Sequence, residues 1–328
     1  MAQGSAGRLL RLLVAVALTA YVLYRSDPSA VLRAAAGADL SLILLAVLLA
    51  LVDRALMAYR WITLLCIVDR AARPPLARLL EIFFVSTFLG TFLPASVGGD
   101  AVRAYSLSRD RITGPEAVAS VFMDRMLGVA SLLLLGVTGV VMARDLAANA
   151  AVVAALVVTA VACAITLAMI FSERVGASVG ATVRLVPAVV VQRMAEGIIS
   201  AVRRYRRFHG QLAFVLAASV GVQVLRVLQA YYLGRAVGIA AGLPVYFAFV
   251  PLILLVMLLP ITVNGLGTSQ AAFVWFFARA SVAAPAAFAL SVLFVGLGIV
   301  GNLPGGVLYA LRGLVHAGPR RGAGGLRT

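Results

Sequence analysis

Apolar stretches near twenty residues long recur along this chain, opening with runs such as "LSLILLAVLLALV" from Leu40 to Val52, and they constrain its fold more than any other feature. In hydrocarbon every backbone N–H and C=O must find a partner inside the protein, so runs of this kind span a bilayer as α-helices. They are too long and too continuous for the alternating strands of a membrane barrel. With 63% of residues hydrophobic and 12% charged, the expected class is an all-α, multispanning integral membrane protein. Six full spans are predicted at 8–25, 40–66, 116–143, 149–171, 211–237 and 285–311. Two further apolar segments are interrupted, 77–108 at Pro94 to Asp100 and 245–280 at Pro260 to Gly267.

The two interruptions resemble each other. "LPASVGG" (Leu93 to Gly99) matches "LPITVNG" (Leu259 to Gly265) at Leu, Pro, Val and the last Gly, with Ser96 facing Thr262 at an offset of 166 residues. The same offset pairs Phe83 with Phe249 and Arg60 with Arg226, and it carries span 40–66 onto 211–237 and 116–143 onto 285–311. An internal duplication follows as the expectation, with a first repeat at 1–148, a second at 149–317 and a disordered Gly- and Arg-rich tail at 318–328.

Arginine placement orients the repeats. The 28 basic residues are all arginine and the formal charge is +16. If each interrupted segment is a re-entrant hairpin leaving by the face it entered, an inside N-terminus puts seventeen arginines on the cytoplasmic side. Only Arg25, Arg33, Arg144, Arg235 and Arg279 fall outside. The excess of inside arginine supports this topology, with both termini cytoplasmic and the second repeat inverted. The basic excess reads as topology and as attraction to anionic inner-leaflet lipids, not as a nucleic-acid footprint.

Between the repeats, the connector 187–209 places Arg193, Glu196, Arg203, Arg204 and Arg207 opposite Val190, Met194, Ile198, Ala201 and Tyr205. It reads either as an amphipathic helix on the inner leaflet or as a solvated basic connector. Arg8 and Arg11 before the first apolar run suit a retained first helix better than a cleaved signal. Cys66 and Cys163 have no metal-ligand spacing, no metal or cofactor is expected, and no H-E-x-x-H, Walker loop or G-x-S-x-G occurs. Gly301-x-x-x-Gly305 and Pro304 on the last span suggest close helix packing and a kink.

A broken helix persists in a bilayer only where it is buried in protein or lines a polar cavity. Gly98 and Gly99 permit close backbone approach, and a half-helix starting near Asp100 presents free N–H groups and a positive dipole end. That arrangement suits an anion, of which lipid phosphate is the commonest in a membrane. Asp100 either serves such a site or caps its helix, and Asn264 either turns the chain or meets a headgroup. Ionisable residues inside spans are costly, which singles out Asp53, Arg54, Arg60, Asp124, Arg125 and Arg226. Adjacent acid and base diverge by about 100° on a helix, so Asp53–Arg54 and Asp124–Arg125 should each seek partners on neighbouring helices. The candidate site is a polar cavity in which Arg60, Arg103, Arg125 and Arg226 attract phosphate while Asp100 and Asp124 hold them. Pro94, Ser96, Gly98 and Gly99 come from the first break and Pro260, Thr262, Asn264 and Gly265 from the second. The alternative is that these charges snorkel or staple helices together.

"FLPASVGGDAVRAY", "DRMLG" (Asp124 to Gly128), "YRW" in the second span and "LPITVNGLG" together resemble the flippase-like membrane family that includes the transmembrane domain of lysylphosphatidylglycerol synthase. The resemblance implies a flippase fold that moves lipids or lipid-linked sugars between leaflets of the bacterial inner membrane. Where that family usually continues its second motif with Arg-Glu and a glycine, this chain has Ser269, Gln270 and Ala271, which weakens the transfer of a charged site to the second hairpin. No aminoacyl-transferring domain follows the last span in this sequence, so lysyl transfer is not expected.

The leading expectation is a non-enzymatic translocator of a phospholipid or polyprenyl-linked lipid with an anionic headgroup. A membrane-embedded lipid-phosphate transferase and a scaffold subunit of an envelope lipid pathway are the alternatives. Oligomerisation is left open.

Overall fold

The computed structural model describes residues 28–68, 74–93, 98–110, 112–142, 150–171, 189–258 and 266–316, with positions 20, 21 and 24. Every regular element among them is helical. In chain order they are α1 (Pro28–Ala36), α2 (Leu40–Val68), α3 (Leu76–Phe92), α4 (Gly98–Ser108), α5 (Gly114–Met142), α6 (Ala150–Phe171), α7 (Val189–Arg204), α8 (His209–Ala236), α9 (Leu243–Leu258), α10 (Thr268–Phe277) and α11 (Ala284–His316), with single 3₁₀ turns at Tyr205–Arg207 and Ala278–Ala280.

Among the described residues, four helices are long and apolar enough to cross a membrane, within Leu40–Ile67, Gly114–Met142, His209–Ala236 and Ala284–Leu311. At 1.5 Å per residue each is about 42 Å long, more than the ~30 Å hydrocarbon core requires. These are four of the six predicted spans. The fourth predicted span, 149–171, falls on the 22-residue helix α6, whose apolar stretch Leu156–Ile165 is shorter, and the first, 8–25, lies almost wholly outside the described residues. So does the 318–328 tail.

Both predicted interruptions fall between helices. Leu93 ends α3 in an extended conformation (φ −81°, ψ 139°), the geometry a following proline imposes on the residue before it. Helix resumes at Gly98. On the other side, α9 stops at Leu258 and α10 starts after Gly267, whose φ of 84° suits glycine alone. Elsewhere, Asp39 opens α2 by accepting from the Ser41 backbone N–H at 2.8 Å and the Ser41 hydroxyl at 2.6 Å. The Ser41 hydroxyl, more than its backbone N–H, holds the Asp39 carboxyl below the usual range. Gly238 (φ 81°) ends α8, its N–H donating to Arg235 O.

The packing has a regular exchange. Helices α2 and α8 lie against each other, α3 packs on α11 and α9 on α5, α1 packs on α11 and α7 on α5, and each interrupted pair, α3–α4 and α9–α10, closes on itself. Small residues let these backbones meet. A Cβ on Gly139 of α5 would lie 2.5 Å from Ala248 O of α9, and one on Gly305 of α11 would collide with Phe84 O of α3. The Gly301-x-x-x-Gly305 stretch is thus a packing surface, and α11 continues through Pro304. The most extensive apolar cluster among the described residues includes Tyr246, Phe273 and Phe277, all fully buried. Leu44, Leu48, Tyr59, Leu134, Val141, Val292 and Ile299 are instead exposed on the long helices, as a lipid-facing surface requires.

The C-terminal part of the apolar side of α7 packs on protein. Ala201, Val202 and Tyr205 are buried against Leu64, Ala119, Met123 and Val215, and the Tyr205 hydroxyl donates to Leu64 O at 3.3 Å. Burial pushes the Tyr205 phenol well above its usual pKa. Arg204 pairs with Glu116 of α5 at 2.7 Å, so much of the apolar side is covered by protein while Met194 stays exposed.

Candidate functional site: an arginine-walled cavity

Two glycines bring the first interrupted pair close enough to form a wall. A Cβ on Gly99 would lie 2.8 Å from Ser86 O, and one on Gly90 would lie 2.8 Å from Gly99 Cα. Asp100 and Arg103 follow in the first turns of α4, and both are buried. They face a cavity of about 340 Å³ lined by α2, α3, α4, α5, α8, α9 and α11, at the lower end of the range for small-ligand sites. Its walls carry five arginines (Arg54, Arg60, Arg103, Arg125, Arg226) against three aspartates (Asp53, Asp100, Asp124), a formal excess of two positive charges.

One cluster is centred on Asp124. Its Oδ1 accepts from Arg60 Nε of α2 at 2.8 Å, and its Oδ2 lies 3.5 Å from Arg103 Nη1 of α4. Arg60 also donates to the Ser219 hydroxyl of α8 at 3.0 Å. Arg103 donates to the Ser86 and Thr87 hydroxyls of α3, each at 3.2 Å, and lies over the Phe83 ring, 4.5 Å from its centroid. Beside this cluster, Arg125 Nε donates to Asp100 Oδ2.

A second cluster is centred on Asp53. Its Oδ2 accepts from Arg54 Nη1 at 2.8 Å, and its Oδ1 is 3.7 Å from Arg226 Nε. Arg54 reaches across to α11, where Nε donates to Asn302 Oδ1 at 2.8 Å, and Asn302 Nδ2 donates to the Thr91 hydroxyl of α3 at 2.8 Å. Met57 lies between the two arginines, its sulfur 3.4 Å from Arg54 Nη1 and 3.3 Å from Arg226 Nη2. Buried charges tolerate this setting because opposite charges share it and Arg54, Arg60 and Arg103 also donate to neutral side chains.

Of the residues singled out from the sequence, Arg60, Gly99, Asp100, Arg103, Asp124, Arg125 and Arg226 meet at this one cavity. Gly98 adjoins it, packed on the Leu93 side chain. Pro94, Ser96, Pro260, Thr262, Asn264 and Gly265 lie outside the described residues. Asp124 and Arg125 each take partners on other helices, as their angular separation predicts. Asp53 and Arg54 do not follow that rule, because Arg54 is long enough to bend back to its neighbour's carboxylate while still reaching Asn302.

Sequence reasoning left Asp53, Arg54 and Asn302 out of the site, along with Thr87, Thr91, Gln223 and Gln229, all of which wall the cavity. A signal existed: Gln223, Arg226 and Gln229 recur at three-residue spacing in the apolar middle of α8. On the other side, Gln270 turns back on the N-terminus of its own helix, α10. Its Oε1 accepts from Gly267 N at 2.6 Å and from the Ser269 hydroxyl at 2.9 Å, so the charge missing from the second motif is replaced by a locally satisfied amide.

No curated protein matches the chain. The family model described as the lysylphosphatidylglycerol synthase TM region matches residues 8–305, and on that extent this multi-pass membrane protein belongs to that family of membrane domains.

Proposed function

We propose that the protein is a lipid translocase, a flippase or scramblase that passes the anionic headgroup of a phospholipid or polyprenyl-linked lipid through the arginine-walled cavity while the tails stay in the bilayer. The observation that carries this reading is the cavity itself, about 340 Å³ with five arginines against three aspartates, set among helices long enough to span a membrane. Guanidinium groups match phosphate geometry with paired N–H donors, and a surplus of positive charge inside hydrocarbon is a standing cost that an anionic headgroup relieves. Family membership agrees with a lipid substrate.

The same reading includes six spans and two re-entrant hairpins in an inverted repeat, with both termini cytoplasmic. The packing exchange supports it. The 166-residue offset carries α2 onto α8, α3 onto α9, α4 onto α10 and α5 onto α11, and it lands α1 within α7. The contacts α3–α11 and α9–α5, and α1–α11 and α7–α5, are the pairs such a repeat interchanges. The cellular site is the bacterial inner membrane, anionic inner-leaflet lipids surround the basic connector, and no covalent chemistry on the lipid is involved.

Reconstitution into vesicles carrying leaflet-labelled phospholipids and polyprenyl phosphates tests the proposal. Faster equilibration between leaflets than in protein-free vesicles is expected for at least one anionic lipid. No acceleration across the panel, or a lipid species missing from a deletion strain in place of a misplaced one, would count for the transferase reading instead.

A further inference from the structure

Four arginines fall within five residues where α7 ends: Arg203 and Arg204 in its last turn, Arg206 and Arg207 in the 3₁₀ turn that follows. From Val189 to Arg207 the chain carries five arginines against one glutamate. A helix C-terminus favours basic residues in its last turn, which accounts for Arg203 and Arg204 and not for the pair beyond. Arg204 is taken by Glu116 of α5, and Arg207 is exposed.

The docked side of α7 fixes its depth. Ala201, Val202 and Tyr205 pack on Leu64, Ala119, Met123 and Val215. Leu64 is four residues before the end of α2, while Ala119 and Val215 are five and six residues past the starts of α5 and α8. At 1.5 Å per residue these contacts lie about 6–9 Å inside the ends of three helices of spanning length. Those helices exceed the ~30 Å hydrocarbon core by about 6 Å at each end. The contacts therefore mark the boundary of hydrocarbon and headgroups, and the arginines flanking Tyr205 are held in the headgroup layer.

The surface under α7 is also joined to the cavity. Leu64 is one turn beyond Arg60 on α2, and Met123 immediately precedes Asp124 on α5. On α8, Val215 O accepts from the Ser219 hydroxyl at 2.7 Å, the same hydroxyl to which Arg60 donates. Helix α7 thus bridges the three helices that meet at the Asp124–Arg60–Ser219 contacts, one turn away.

We infer that α7 is a sensor of membrane surface charge: an anionic headgroup layer seats it through Arg203, Arg206 and Arg207, and the seated helix braces α2, α5 and α8 beneath the Asp124 cluster. The partner is an anionic lipid surface, read by charge and not by headgroup identity. This rests on the membrane setting proposed above and gives lipids around the connector a regulatory role separate from that of cargo.

Amide hydrogen exchange on the full-length protein in lipid nanodiscs tests the inference. Discs of phosphatidylcholine are compared with discs in which part of it is replaced by phosphatidylglycerol or, at equal charge, by phosphatidylserine. Exchange across 189–207 is expected to slow at least about tenfold with either anionic lipid, within what three arginines near a charged surface provide. Exchange across 119–124 of α5 should slow with it. Salt at about 1 M, which shortens the screening length to about 3 Å, should remove the difference. So should Arg203→Gln, Arg206→Gln and Arg207→Gln combined, with exchange across the apolar cluster of α9 and α10 unchanged.

Equal exchange of α7 in neutral and anionic discs would overturn the sensor, and so would a response to phosphatidylglycerol alone, which would mean headgroup recognition. Inorganic phosphate added to neutral discs at matched ionic strength should do nothing, and slowing by it would assign the arginines to a free anion instead of a surface. Slowing of α7 without 119–124 would overturn the link to the cavity. Seating by charge in a protein that translocates nothing leaves the sensor standing and removes the translocase. Translocation with α7 indifferent to charge does the reverse.

Discussion

Asp124 of α5 and Arg60 of α2, 64 residues apart in sequence, meet at 2.8 Å with both side chains almost completely buried. The same carboxylate faces Arg103 of α4. Asp124→Asn leaves two guanidinium groups without their counter-charge, and removing one partner of a buried pair typically costs about 3–5 kcal/mol. A lower unfolding temperature in detergent is therefore expected for this variant. The contrast is Glu116→Ala, which breaks the half-exposed pair with Arg204. That change should cost less than about 1 kcal/mol and lessen in high salt.

Arg103 is held by two hydroxyls, a carboxylate and an aromatic face, so truncation to alanine disturbs packing as well as charge. Arg103→Lys is the sharper probe, since it keeps the charge and loses the planar fork. Translocation of an anionic lipid should fall about tenfold or more, as expected for two lost hydrogen bonds, with expression and monodispersity retained. Undiminished transport would remove Arg103 from the phosphate site.

Gly305 meets the backbone of Phe84 with no room for a Cβ. Gly305→Val should force α11 away from α3 at a cost of about 3 kcal/mol or more, the upper range for overpacking. The check is the thermal midpoint of the purified variant beside Gly114→Ala, whose added Cβ meets nothing within 4 Å.

Asn302 joins Arg54 to Thr91 across three helices. Asn302→Leu removes one acceptor and one donor, and hydrogen bonds between membrane helices are worth about 0.6 kcal/mol each on average. The loss of stability should therefore stay near 1 kcal/mol, while freeing Arg54 should weaken discrimination between lipid headgroups in the vesicle assay.

Much of the helix plan was legible in the sequence because bilayer thickness imposes a length on apolar runs, and a proline such as Pro94 dictates the conformation of Leu93 before it. The partners of Asp124 and Arg125 were legible in direction, since adjacent positions diverge on a helix. Arg54 was not, because periodicity reports where a Cβ points and not how far a long side chain can return. Asn302 looked like part of a packing stretch, and its role depends on Arg54, 248 positions away. The apolar side of α7 was visible, but periodicity does not say whether lipid or protein covers it.

On the translocase proposal, the sharing of Asp124 between Arg60 and Arg103 makes the carboxylate an internal stand-in for the anion proposed to enter the cavity. A phosphate that engages those two guanidinium groups takes them from Asp124, and with them part of the clasp joining α2, α4 and α5. Loading the cavity and loosening these three helices would then be a single exchange, in which one oxyanion gives up its place to another.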